Sequence, residues 1–194
     1  HINVNDNAFT NVMARWNLVR ATQLYRDYQA QNIKRFKKMV RRINLREGEI
    51  RNWARISNRI VIPSTKNGVI EAFSGFFDRK YIPIEELDDN LMPMIPKRVP
   101  LRQMKRTQFV KQADALMIFY LLPFFEIKDL FRRLGHTFTF DKLRKNFDYY
   151  AKRCSHGSTL SKVVHCYIAR TIRRTPESLH WLRDVLESDV YDTK

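Results

Sequence analysis

Cys154-Ser155-His156-Gly157-Ser158-Thr159-Leu160-Ser161 is the stretch on which the reading of this chain turns. It sets a histidine, a glycine and four hydroxyls between two helical patterns. Upstream, Asp141 to Arg153 carries Leu143, Phe147 and Tyr150 at helical spacing. Downstream, Leu160 to Ile172 repeats apolar residues at Leu160, Val163, Val164, Tyr167 and Ile168. A glycine with hydroxyls just before a helix can aim N–H and O–H donors at an anion, and the helix dipole adds to the attraction. The simpler reading makes Ser158 or Thr159 an N-cap.

The same helical texture runs outward from this point. Asn5 or Asp6 can cap a first helix with an apolar stripe at Phe9, Val12, Met13, Trp16, Val19, Leu24 and Tyr28. A strongly basic helix covers about Asn32 to Ile43, and a third starts near Leu45 with Ile50, Trp53, Ile56 and Ile60. Then Val61-Ile62-Pro63 and Gly68 to Phe73 read as β-like. Four prolines and an acidic patch, Glu85 to Asp89, leave little room for regular structure between Tyr81 and Pro100. The pattern next predicts a long helix from Arg102 to Leu122, apolar nearly all round from Ala113 and ended by Pro123. Helices follow at Glu126 to Leu134, Asp141 to Lys152, Leu160 to Ile172 and Pro176 to Ser188, the last capped by Thr175. The expected fold is all-α, built from helix pairs, with a small β excursion near 61–78.

Composition bounds the function. A chain of 194 residues with 44% apolar content suits one domain with a core. Two cysteines, Cys154 and Cys166, are too few for a disulfide framework or a four-ligand zinc site. They suit a reducing compartment, so a cytoplasmic location is expected. No apolar run reaches membrane-spanning length. The chain opens at His1 without a methionine and stops at Lys194 straight after a helical pattern, which reads as a partial domain over 1–194. The net charge is +16, and 13 basic residues fall between Arg15 and Arg59. A basic helical module that binds nucleic acid is therefore the alternative from another class. No nucleic-acid signature accompanies the charge, and the aromatics among it fall on apolar stripes.

Candidate chemistry is sparse. Lys111-Gln112-Ala113-Asp114 sets polar groups beside apolar sequence, as ligand sites often do. Asp114 alone makes no acid–base pair, and Glu71, Asp78, Asp88 and Asp89 have no telling spacing. The five histidines form no metal motif, and no phosphate loop or nucleophile elbow is present. Cys154 reads as an inert structural thiol and His165 as a core histidine. The residues alone lead to an all-α chain with an anion site or a cap at His156 to Ser161.

A set of stretches carries more. They are His1 to Asn11, Met13 to Leu18, Gly68-Val69-Ile70-Glu71 with Phe73, and Gly75-Phe76-Phe77-Asp78. Then come Val110 to Asp114, Tyr120 to Pro123, Asn146 to Tyr150 and His156 to Ser161. In this order they resemble the catalytic domain of glycoside hydrolase family 65, which includes inverting phosphorylases of maltose, trehalose, kojibiose and nigerose and some trehalose hydrolases. The resemblance implies part of an α/α (six-hairpin) helical barrel. It implies sugar contacts from Lys111 and Gln112 and phosphate contacts from His156, Ser158 and Thr159. The family's general acid is a glutamate just before the residue matching His1, so no catalytic residue is expected in this chain, which alone would be inactive. A second phosphate loop would follow Lys194. No metal or organic cofactor is implied, only inorganic phosphate as co-substrate. The partners are a disaccharide and phosphate, with no membrane, and a homodimer is compatible with the full-length protein. No Asp or Glu lies between Cys154 and Ser161, which favours phosphorolysis to β-glucose 1-phosphate over hydrolysis of an α-glucoside such as trehalose. Ser158-Thr159 stands where many members have two serines, which keeps a hydroxyl. The basic stretch from Arg15 to Arg59 exceeds what the family requires.

Overall fold

Helical periodicity becomes helix along most of the chain. The computed structural model describes residues 3–63, 67–83, 105–156 and 158–190. Among them are eight helices: α1 (Ala8–Gln31), α2 (Ile33–Arg42), α3 (Glu47–Ser57), α4 (Asp114–Leu121), α5 (Phe124–Arg132), α6 (Phe140–Ala151), α7 (Thr159–Thr171) and α8 (Thr175–Val190). The all-α class is as expected. The backbone divides into two units, Thr10–Ile62 and a larger one made of His1–Phe9 with Pro63–Lys194.

In the smaller unit, local chemistry sets the helix ends. The Asn32 side chain accepts the Arg35 N–H at 3.0 Å and caps α2, while Glu49 reaches back to the Arg46 N–H at 2.8 Å at the start of α3. Phe36 is buried, and Tyr25 meets it edge-on with ring centroids 4.9 Å apart, so these rings pack rather than offer stacking faces. The expected α1 stripe is buried unevenly: Val12 is buried, but Leu24 is 66% exposed. Six of the ten residues of α2 are basic (Lys34, Arg35, Lys37, Lys38, Arg41 and Arg42), and all six are exposed. None of the six forms an ion pair with an acid among the described residues.

Two expectations fail in the larger unit. Of the long helix expected from Arg102 to Leu122, the described residues form only α4, eight residues from Asp114; residues 102–104 lie outside the described residues. The segment before it holds other backbone partners. Lys80 N–H donates to Arg106 O, Gln108 N–H to Lys80 O, Val110 N–H to Arg153 O and Ser155 N–H to Val110 O, at 2.9–3.3 Å. Backbone groups committed to distant segments cannot join the i→i−4 ladder. The second failure is the β excursion near 61–78: no strand forms among the described residues, and 64–66 lie outside them. Alternation is present, with Ile70 and Ala72 buried and Glu71 half-buried between them. The partners, however, are side chains of α6. Asn146 Oδ1 accepts the Ile70 N–H at 2.8 Å, Asn146 Nδ2 donates to Gly68 O at 2.8 Å, and Tyr150 O–H donates to Ile70 O at 2.5 Å. The acidic patch from Glu85 to Asp89 also lies outside the described residues.

The core of this unit surrounds α7. Helices α4, α6 and α8 all pack on it, burying Val164, His165, Ile168 and Ala169. Lys162 Nζ donates to Ser188 Oγ at 2.6 Å, and Ser178 Oγ donates to Cys166 O at 3.0 Å, so α7 and α8 run antiparallel as a hairpin. Arg174, in the turn between them, forks onto Asp148 of α6 with contacts of 2.5 and 2.9 Å. Leu116, Ile118 and Phe119 of α4 are buried, but Leu121 is 46% exposed.

Candidate functional site

The site is stitched together by backbone before any side chain acts. Residues 110–112 lie along 153–155. Besides the two backbone bonds at Val110, the Lys111 carbonyl accepts from both Cys154 Sγ and Ser155 Oγ at 3.2 Å. Cys154 and Ser155 are buried, so this seam is dry. Burial raises the Cys154 thiol pKa, which keeps it protonated and able to donate to that carbonyl.

Gln108 locks the next layer. Its amide nitrogen donates to Phe77 O and Arg79 O, both at 2.9 Å. Its amide oxygen accepts from Tyr149 O–H and from Arg153 Nε–H, both at 2.8 Å. The Arg153 guanidinium lies over the Tyr149 ring, 3.6 Å from its centroid. Nothing in the sequence marked Gln108, because each of its partners is remote along the chain or in an irregular segment.

On this frame opens a cleft of about 640 Å³. Its apolar wall includes Phe73, Phe109 and Tyr150; its polar groups include Asn3, Asn7, Lys105, Lys111, Gln112 and Asp114. The sequence-predicted pair Lys111 and Gln112 therefore lines one cavity. The Lys111 side chain is exposed, while Gln112 is half-buried. Asp114 is exposed as a residue, yet the protein packed around its carboxyl disfavours the charge and raises its pKa. Among the described residues no three His, Cys, Asp or Glu groups are placed to hold a metal ion.

The hydroxyl-rich stretch meets the cleft wall through one contact. Gln112 Nε2 donates to Ser158 Oγ at 3.0 Å, joining the two sequence-predicted groups across 46 residues. Ser158 occupies the N-cap position of α7 with extended backbone, yet its side chain makes no capping bond. Thr159 opens the helix and is exposed. Gly157 lies outside the described residues.

His156 lies beside these hydroxyls with its ring held within the chain. Its backbone is left-handed (φ 55), which turns the ring inward. Nε2 meets the Ala151 carbonyl at 3.0 Å, which fixes the proton there, and Nδ1 lies 3.4 Å from Ser161 Oγ. The ring sits against His165 and Trp181, with centroids 4.4 and 4.5 Å away. Burial lowers its pKa. In this arrangement both ring nitrogens have partners within the chain, and burial favours the neutral form. His165 is fully buried, as expected of a core histidine, and burial first, then His156, pull its pKa down to about 3.

Comparison with known proteins places this geometry. The model of the glycosyl hydrolase family 65 central catalytic domain matches residues 1–194. A kojibiose phosphorylase of Caldanaerobacter subterraneus subsp. tengcongensis is 32% identical over 166 residues, covering 85% of this chain and 20% of that protein. An alpha,alpha-trehalose phosphorylase of Thermoanaerobacter brockii is 26% identical, covering 97% of this chain and 23% of that protein. A maltose phosphorylase of Bacillus subtilis is also 26% identical, covering 97% and 22%. A solved structure described as "Putative kojibiose phosphorylase from human microbiome" matches with TM-score 0.74 and 26% identity, over 98% of this chain and 24% of that one. The chain thus spans between 20% and 24% of the length of these relatives. The likeness in fold agrees with the expected part of an α/α barrel. No helix among the described residues is long and apolar enough to cross a membrane.

Proposed function

Since the chain belongs to glycosyl hydrolase family 65, we propose that it serves in an inverting phosphorylase of an α-glucosyl disaccharide of the maltose, trehalose or kojibiose type. Lys111 and Gln112 hold the glucosyl unit in the cleft. Ser158 and Thr159, with the N–H groups that open α7, hold inorganic phosphate. A phosphate oxygen forms its bond to the anomeric carbon as the glycosidic C–O bond breaks, and a carboxylic acid gives its proton to the leaving oxygen. The product is β-glucose 1-phosphate. The acid is a glutamate of the complete enzyme, and this chain provides binding walls. His156 supports the loop from within.

One observation carries the reading. Ser158 sits at the start of α7 without capping it, so the first-turn donors have no side-chain cap, and no carboxylate lies from Cys154 to Ser161. Such a helix start favours a bound anion and offers nothing to activate water. The relatives that are named phosphorylases point the same way. The test is release of β-glucose 1-phosphate by the complete enzyme with each disaccharide. The expected rate rises with phosphate and is near zero without it; equal rates in both conditions overturn the proposal in favour of hydrolysis.

A further inference from the structure

We propose that Gln112 is a positioning residue for phosphate, acting through Ser158, and so couples the sugar and phosphate sites. This rests on the phosphorolytic reading above. A serine hydroxyl has one proton and two lone pairs. In Ser158 one lone pair takes the Gln112 Nε2–H at 3.0 Å. The hydroxyl proton must then point away from that amide. No acceptor among the described residues receives it, and it is not used to cap α7. Gln112 thereby orients Ser158 so that its O–H is presented outward, in the arrangement an anion at the start of α7 requires.

The seam makes the coupling mechanical. Val110 is bonded to both Arg153 and Ser155, and the Lys111 carbonyl holds Cys154 and Ser155. The wall carrying Gln112 and the loop carrying Ser158 therefore move together. A glucosyl unit that orders Gln112 orders the phosphate donor as well, and by linkage phosphate favours sugar binding equally.

The test uses Gln112→Met, Ser158→Ala and the double variant in the complete enzyme. Phosphate KM is measured at saturating disaccharide, and phosphate binding without sugar is measured by calorimetric titration with inorganic phosphate. Each single change is expected to weaken phosphate by about ten-fold or more, the scale of one hydrogen bond to an ion. The double variant should be no weaker for phosphate than Ser158→Ala alone, because Gln112 has nothing left to position. Unchanged phosphate affinity in Gln112→Met, or single effects that multiply in the double variant, overturns the inference while leaving phosphorolysis intact. A wild-type rate that ignores phosphate overturns both together. The calorimetric arm reads the same comparison where a variant turns over too slowly for kinetics.

Discussion

The amide of Asn146 and the backbone of Ile70 stand in for a pair of β-strands: Oδ1 takes the Ile70 N–H at 2.8 Å while Nδ2 gives to Gly68 O at 2.8 Å and to Lys142 O at 2.7 Å. Asn146 is fully buried. Removing it strands an N–H and a carbonyl, at about 1–3 kcal/mol for each unsatisfied buried group. Asn146→Ala should therefore lower stability by about 2–5 kcal/mol in denaturant titration. Tyr150→Phe, which loses one bond to Ile70 O, should cost about 1–2 kcal/mol. A smaller loss for Asn146→Ala than for Tyr150→Phe would contradict the clamp.

His165 makes the fold sensitive to mild acid. Its pKa in the folded protein is about 3, against roughly 6.5 when unfolded. Above pH 6.5 both states are neutral and the histidine costs nothing. Below it the unfolded chain takes the proton and the folded chain refuses it, so stability falls by about 1.4 kcal/mol per pH unit until the pH nears 3. His165→Asn should flatten the decline of the thermal midpoint between pH 7 and 5. Parallel slopes for wild type and variant would remove His165 as the cause.

Helix α2 is charged against itself. Lys38 lies three or four positions from Lys34, Arg35, Arg41 and Arg42, and all five are exposed. Each like-charge pair at such spacing costs about 0.2–0.5 kcal/mol. Lys38→Glu turns four repulsions into attractions and should stabilise the protein by about 1 kcal/mol or more at low salt. Added salt should raise the wild-type midpoint more than that of the variant. Calorimetry across a sodium chloride series reads both.

Cys154 should behave as a buried donor rather than a nucleophile. The residue is 1% exposed, its thiol is bonded to Lys111 O and Ser161 Oγ, and burial raises its pKa. Alkylation of the native protein at pH 7.5 should leave Cys154 unmodified by peptide mass mapping, with labelling only in denaturant. Rapid native labelling at Cys154 would mean the seam opens.

Periodicity made the helices legible wherever apolar spacing and a local cap agreed, as at Asn32 before α2 and Thr139 before α6, whose side chain accepts the Lys142 N–H. It failed at 105–113, where the backbone of Arg106, Gln108 and Val110 is committed to Lys80, Arg153 and Ser155. It failed at 68–73 for a related reason. The alternation reports burial, and burial does not say whether a strand or a helix side chain supplies the hydrogen bonds. At the site, Gln112 and Ser158 were each readable from their motifs, but their contact was not, because it spans two irregular segments. The inward position of His156 goes with a left-handed backbone, a conformation uncommon outside glycine that helical spacing does not announce.

Gln108 carries a consequence for how this chain can change over generations. One amide joins Phe77, Arg79, Tyr149 and Arg153. A substitution there strands four partners at once, and no single second change restores them. Drift at any one of these positions is therefore held back by the rest, and this frame beside the cleft should be inherited as a block. A preference for a different ligand would then arise by altering what the block displays, while the block itself stays fixed.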